Sequence, residues 1–285
     1  MNPQSPHSLA LLKRPIPSTG ELIPAIGLGT YNAFDISLND RADRTACAEV
    51  LRLFAEGGGA LVDSSPMYGK AEAAIGALTG ELGLHSKLFM ATKVWTSGRE
   101  AGIQQMESSF QKMGAKTMDL MQIHNLVDWR THLQTLRDWK AQGRIRYLGI
   151  THYQSGAFAE LESILRAEAL DFVQLNYAID DRAAEERLLP LAQERGVAVL
   201  ANRPLGAGRL VGAVKNATLP AWAAELDCPT WGAFLLKFIL SHPAITCAIP
   251  ATRNAAHMHD NLLAGIGRLP DQQERERMAT WIEHL

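Results

Sequence analysis

Residues 119–151 read DLMQIHNLVDWRTHLQTLRDWKAQGRIRYLGIT. Two short apolar runs, DLMQIH (119–124) and RYLGIT (146–151), flank HLQTLRDWKAQG (132–143), whose apolar residues fall three and four apart. The runs have the length of strands and are apolar on both faces, as in a buried parallel sheet. The patterned stretch between them reads as a helix that closes on Gly143. Outward from this unit the same pattern recurs. IPAIGLGT (23–30), ALVD (60–63) and LFMATK (88–93) lie before it; DFVQLNY (171–177), VAVLAN (197–202) and TCAIP (246–250) lie after it. AGIQQMESSFQKMG (101–114), with Ile103, Met106, Phe110 and Met113 on one face, and AEERLLPLAQERG (184–196) read as further helices. From the second run to the seventh, strand starts recur at roughly 26 to 31 residues, the length of one strand-plus-helix unit. Eight such units close into an α/β TIM (β/α)8 barrel. A doubly wound open sheet would carry fewer strands and a G-x-G-x-x-G opening a helix, and GLGTYN is not that motif. LLKRPIPSTGELIP (11–24), with its turn at Ser18-Thr19-Gly20, reads as a short N-terminal hairpin plugging the barrel floor. With no linker, low-complexity tract or charge block, residues 1–285 read as a single barrel domain.

The composition excludes several classes. The chain has 285 residues, 47% hydrophobic and 20% charged, enough to bury a large core without staples. Its net charge of −2 argues against nucleic-acid and polybasic membrane partners. No apolar stretch reaches the roughly 18 residues of a membrane span. Cys47, Cys228 and Cys247 are odd in number and scattered, which fits a reducing, cytoplasmic setting rather than a disulfide framework. MNPQSPHSLALLKRP lacks the basic start and long hydrophobic segment of a secretory signal, although a processed or truncated precursor would read alike.

In such a barrel, chemistry sits at the C-terminal ends of the strands. Asp63 ends the second run, Tyr68 lies five residues on in SSPMYG, Lys93 ends the third run and His124 the fourth. Neighbouring strands should bring these four side chains together. A Lys at the end of an apolar strand is expensive unless paired, and Asp63 is its counter-charge. A Lys beside a phenol favours the phenolate, so the pKa of Tyr68 is expected to fall toward working pH. Tyr68 could then act as a general acid or base, with a neutral His124 holding a substrate carbonyl. Singly, each residue has a plainer reading: a packing tyrosine, a barrel salt bridge, a satisfied core histidine, a loop-capping aspartate. Together, at successive strand ends, they form a set suited to protonating a carbonyl oxygen.

At these residues the sequence resembles the aldo-keto reductase family, from about Leu22 to Leu263. GLGTYN, VDSSPMYGKAEAAIG, ATKVW and DLMQIHN are similar to the family's ordered motifs, as are GRIRYLGIT, DFVQLNY, RPLGAG and AIPATRNAAHMHDNL. The resemblance implies a TIM barrel that reduces an aldehyde or ketone to an alcohol with NADPH, NADH being possible. It implies Asp63, Tyr68, Lys93 and His124 as the catalytic set, with Tyr68 as proton donor. The alternative is an NADPH-binding regulatory or sensor protein that turns over slowly. A small-molecule carbonyl is the expected partner, and a monomer the expected state.

The resemblance also implies cofactor contacts. Gln174 would bind the nicotinamide carboxamide, with Thr151 and His152 beside it. Leu205, Gly206 and Gly208 would present backbone N–H groups to the pyrophosphate. Gly29 and Thr30 would meet the cofactor at the first strand, and Thr252, Arg253, Asp260 and Asn261 would hold the adenosine end. The sequence departs from the family at three places. Thr151-His152 replaces Ser-Asn. Asn202-Arg203 stands where many members stack a tyrosine on the nicotinamide, so the Arg203 guanidinium plane is a candidate to stack there. Ala251 and His257 stand at positions where some members carry Lys and Arg. Tyr31, Trp95 and Trp129 are candidate walls of the substrate pocket, and the other tryptophans read as packing. His257 and His259, two apart on a helix, point away from each other, and no metal site is expected.

Overall fold

The computed structural model describes residues 10–285. The reading of the N-terminus as lacking a secretory signal falls largely on residues 1–9, which lie outside the described residues. A hairpin opens the described chain, with β1 (Lys13–Pro15) antiparallel to β2 (Leu22–Pro24). Eight parallel strands follow: β3 (Leu28–Gly29), β4 (Leu61–Asp63), β5 (Phe89–Val94), β6 (Met118–His124), β7 (Ile145–His152), β8 (Phe172–Asn176), β9 (Ala198–Asn202) and β10 (Ile245–Ala248). Each lies beside its sequence neighbour from β3 to β10. The cylinder closes between β3 and β10. Bridges join Ile26 to Ala248 and Gly29 to Ala251, and the N–H of Gly27 donates to the Ala248 carbonyl at 2.8 Å. Gly29 is needed at this seam, because a Cβ there would stand 2.7 Å from the Ile249 carbonyl oxygen.

Among the described residues, ten α-helices surround the strands: α1 (Arg41–Glu56), α2 (Ala71–Glu81), α3 (Arg99–Met113), α4 (Trp129–Ala141), α5 (Phe158–Ala167), α6 (Leu188–Arg195), α7 (Arg209–Val214), α8 (Trp231–Ser241), α9 (Ala255–Leu263) and α10 (Gln272–Glu283). All eight strand-like runs contain a strand. The stretch 184–196 differs from its reading as one helix: a short turn at Ala183–Glu185 precedes α6. The reason is Pro190, which is tolerated in a helix's first turn, where its missing N–H would have no partner, but not further in.

The barrel interior changes character along its axis. At the floor, Phe89, Tyr147 and Phe172 pack ring to ring at 5.6–6.2 Å. The hairpin closes this end: Ile16 and Ile23 join the aromatic cluster fully buried. Each such side chain contributes about 1.5–3 kcal/mol by leaving water. Arg14 anchors the hairpin through the carbonyls of Leu240 at 2.5 Å and His242 at 2.9 Å. Side chains alternate across a strand, so the inward series Leu120, Gln122, His124 carries β6 from apolar floor to polar mouth. No helix among the described residues is long and apolar enough to cross a membrane.

Candidate active site

The mouth of the barrel is where the backbone is strained. Asn32 after β3, Asn125, Leu126 and Asp128 after β6, and Arg203 and Ala207 after β9 all have positive φ. Each such non-glycine residue costs on the order of 1–3 kcal/mol and persists only where its surroundings demand it. Asp227 is the one residue of this kind among the described residues that lies away from these loops.

Lys93, fully buried, donates to Asp63 Oδ2 at 2.6 Å and to the Ser64 carbonyl at 2.7 Å. The other carboxylate oxygen, Asp63 Oδ1, accepts from Gln122 Nε2 and Gln174 Nε2, each at 3.0 Å. Gln174 also donates to Gln122 Oε1 at 3.2 Å. Register explains the convergence, since Lys93 pairs with Gln122 across β5 and β6, and Thr151 with Gln174 across β7 and β8. Burial alone would lower the pKa of Lys93. The charges of Asp63 and Tyr68 and the hydrogen bonds to them outweigh it, so Lys93 sits above its ordinary value and remains an ammonium.

The Lys93 ammonium lies 5.0 Å from the centroid of the Tyr68 ring. Tyr68 is held by its backbone, its N–H donating to the Ser65 carbonyl at 3.0 Å. The next residue must be glycine: Gly69 has φ 58°, and a Cβ there would lie 2.4 Å from Asp35 Oδ1, which accepts from the Lys70 N–H. The expected fall in the Tyr68 pKa is corrected. Burial raises it, the charge of Lys93 lowers it, Asp63 raises it again, and the balance lies above the ordinary value. The phenol is therefore a protonated acid in the resting site.

The His124 ring stands edge-on to Tyr68, with centroids 5.8 Å apart, and its Nδ1 lies 2.9 Å from Ser65 Oγ. Burial, with the charge of Lys93 and the proximity of His152, holds its pKa down from 6.5 to about 3, so the ring is neutral through the physiological range. The sign follows by linkage. The unfolded chain binds this proton below pH 6.5 and the folded chain does not, so the associated stability is present above 6.5 and is lost as the pH falls toward 3. The loss is at most about 1.4 kcal/mol per pH unit. Denaturant melts across this window should show a shallower acid limb in His124→Gln than in wild type; parallel limbs would refute the buried neutral ring.

Around this centre the other sequence candidates divide. Tyr31 (52% exposed) packs edge-on to Tyr68 at 5.1 Å, and Trp95 (42% exposed) lies 6.3 Å from the His124 ring. Trp129 instead packs partly buried against the outer core, under Arg130. Thr30 turns inward, donating to the Asp63 carbonyl and Ser64 Oγ at 3.0 Å each. Gln174 commits its amide N–H groups to Asp63 and Gln122 rather than to the mouth. Its Oε1 receives Thr151 Oγ1 and Asn202 Nδ2 at 3.4 Å each. His152 Nδ1 accepts from the Gln154 N–H at 3.1 Å, and its ring stacks on Tyr153 at 5.7 Å. Arg203 lies over the Tyr153 ring at 5.1 Å.

The turn after β9 uses two of its own N–H groups. Gly206 N donates to the Arg203 carbonyl at 2.8 Å and Gly208 N to that of Leu205 at 3.1 Å. Arg253 pairs with Asp43 of α1 at 3.1 Å, and Thr252 Oγ1 accepts from the Asn254 N–H at 3.0 Å. Asn254 caps α9 by accepting from the N–H groups of Ala256 and His257. Asp260 and Asn261 lie in the second half of α9, with Asn261 buried.

Three contributors went unassigned in the sequence. Ser65 holds His124, Gln122 holds Asp63, and Asn202 borders Gln174. Gln122 carried a signal, being two residues before His124 and so on the same inward face of an otherwise apolar strand. Asn202 Oδ1 is buried without a hydrogen-bond partner among the described residues.

The sequence profile described as the Aldo/keto reductase family matches residues 25–279. The chain is 30% identical over 248 residues to methylglyoxal reductase YeaE of Escherichia coli (strain K12), covering 84% of each protein. It is 25% identical over 244 residues to the NADH-specific methylglyoxal reductase of the same organism, covering 74% of this chain and 72% of that one. The solved aldo-keto reductase of Klebsiella pneumoniae in complex with NADPH superposes with a TM-score of 0.80 at 23% identity, over 95% of this chain and 96% of that one.

Proposed function

The chain belongs to the aldo-keto reductase family, and on that premise we propose that it reduces a small aldehyde or ketone to the alcohol with NADPH, NADH serving less well. One observation carries the reading: the phenol of Tyr68 stands between the buried Lys93–Asp63 pair and the His124 ring at the open end of the barrel. The residues at the mouth fit a nicotinamide. The buried, unpartnered Asn202 Oδ1 is an acceptor for a carboxamide N–H, and an orphaned acceptor of this kind costs about 1–3 kcal/mol until a donor arrives. Arg253, released from Asp43, is the cation for a ribose phosphate.

When bound, the reduced nicotinamide supplies the hydride. The chain does the rest. His124 holds the carbonyl oxygen by a hydrogen bond from its ring N–H and, being neutral, is too weak an acid to give that proton up. Tyr68 gives its proton to the oxygen as negative charge develops there. The nearby Lys93 ammonium stabilises the phenolate left behind, and Asp63, fixed by Gln122 and Gln174, keeps that ammonium in place. Tyr31 and Trp95 form exposed aromatic walls beside the reacting oxygen.

The named activity of the two bacterial relatives directs the substrate test to 2-oxoaldehydes. NADPH oxidation should be followed against methylglyoxal and a panel of aliphatic and aromatic aldehydes, beside a fluorescence titration of NADPH binding. Saturable oxidation with at least one of these carbonyls is expected. Tight NADPH binding with no turnover on any would replace the enzyme reading with that of a nucleotide sensor.

A further inference from the structure

We infer that Ser65 is a positioning residue that fixes His124 as the tautomer carrying its proton on Nε2. Ser65 follows Asp63 by two residues and is fully buried. A serine hydroxyl has one proton to donate and two lone pairs to accept with. One lone pair takes the Met67 N–H at 3.2 Å. Its remaining side-chain partner among the described residues is His124 Nδ1, at 2.9 Å. A neutral imidazole carries a single proton, and the hydrogen bond made by one nitrogen decides where that proton sits.

Two arrangements satisfy the 2.9 Å contact, and they differ in what they leave unpaired. If Nδ1 carries the proton, Ser65 Oγ accepts twice, and its own hydroxyl proton is buried with nothing to accept it. Leaving a buried donor unsatisfied costs about 1–3 kcal/mol. If Ser65 donates to Nδ1, its donor and an acceptor site are both used, and the histidine proton moves to Nε2. The second arrangement wins by that margin. It also turns His124 into a hydrogen-bond donor through the nitrogen away from Ser65, which is the polarity a carbonyl oxygen needs. The first would present a lone pair to that oxygen and repel it. Ser65 also accepts the Tyr68 N–H through its carbonyl, so one residue sets the register of both groups that meet the substrate oxygen.

The tautomer stands on hydrogen-bond chemistry alone; its consequence for rate rests on the carbonyl-reducing reading. The test is 15N NMR of the histidine-labelled whole protein without cofactor, with the His124 signals identified by their loss in His124→Gln. In wild type, Nε2 should show the protonated and Nδ1 the unprotonated type of shift at neutral pH. In Ser65→Ala that preference should be lost, and kcat should fall about tenfold, the size of one neutral hydrogen bond, with the Kd for NADPH unchanged. A protonated Nδ1 in wild type overturns the inference, as does a Ser65→Ala protein that keeps the wild-type tautomer. The wild-type spectrum decides even if the variant folds poorly. A wild-type protein with the expected tautomer but no reductase activity would support the inference while removing the proposed function.

Discussion

Tyr68→Phe is expected to lower kcat for carbonyl reduction by roughly 100- to 10,000-fold, the range that a positioned general acid contributes. The Kd for NADPH and the melting temperature should stay close to wild type. The substitution removes only an oxygen. The ring keeps its edge-on contacts with Tyr31 and His124, and the backbone tie to Ser65 does not involve the side chain. The hydroxyl combines an available proton with a nearby ammonium that can stabilise the resulting anion. Its resting pKa lies above ordinary because burial outweighs Lys93, so the phenol rests protonated, and in the proposed reaction the developing alkoxide would draw that proton out. Steady-state kinetics beside a binding titration separate the effects: lost turnover with retained binding is expected, and near-wild-type turnover would remove Tyr68 from the reaction.

Lys93→Met should cost both folding and activity. Lys93 and Asp63 form a buried pair at 2.6 Å, and removing one partner of such a pair typically costs 3–5 kcal/mol because the other charge is left uncompensated. Against the 5–15 kcal/mol that holds an ordinary domain together, that is a large fraction. The amide groups of Gln122 and Gln174 still reach Asp63 and temper the loss without supplying a charge. Asp63→Asn added to Lys93→Met neutralises the orphaned carboxylate, so the double variant should regain much of the lost stability in denaturant melts. It should not regain turnover, because no cation then faces the phenolate. A Lys93→Met protein as stable as wild type would contradict the electrostatic reading of the pair.

The strands were legible because a parallel barrel strand is buried on both sides, and DLMQIH or DFVQLNY can hardly be read otherwise. The four principal polar residues were legible because each ends an apolar run or follows one closely, and strand order brings neighbours together. What the sequence left open was direction at the scale of a single side chain. Alternation places Gln174 and Thr30 at the mouth but does not say that both turn down to the Asp63–Ser64 segment. The Tyr68 shift had the wrong expected sign because a charge can be seen in a sequence while the burial that opposes it cannot. Arg203 shows the same limit, its partner Tyr153 lying on a different strand's loop. Ser65 was hidden because serine beside a turn is ordinary; only the 2.9 Å approach to His124 gives it a role.

All of this depends on three groups meeting at one point: the Tyr68 hydroxyl, the His124 ring and the carbon that delivers hydride. A crystal structure of the protein with NADP+ and a carboxylate or carbonyl inhibitor measures that meeting directly. An inhibitor oxygen within about 2.6–3.2 Å of both Tyr68 Oη and His124 Nε2 is expected, with the carboxamide against Asn202 and the nicotinamide carbon about 3–3.5 Å from the carbon under attack. A dinucleotide bound elsewhere, or an inhibitor oxygen out of reach of Tyr68, would contradict it.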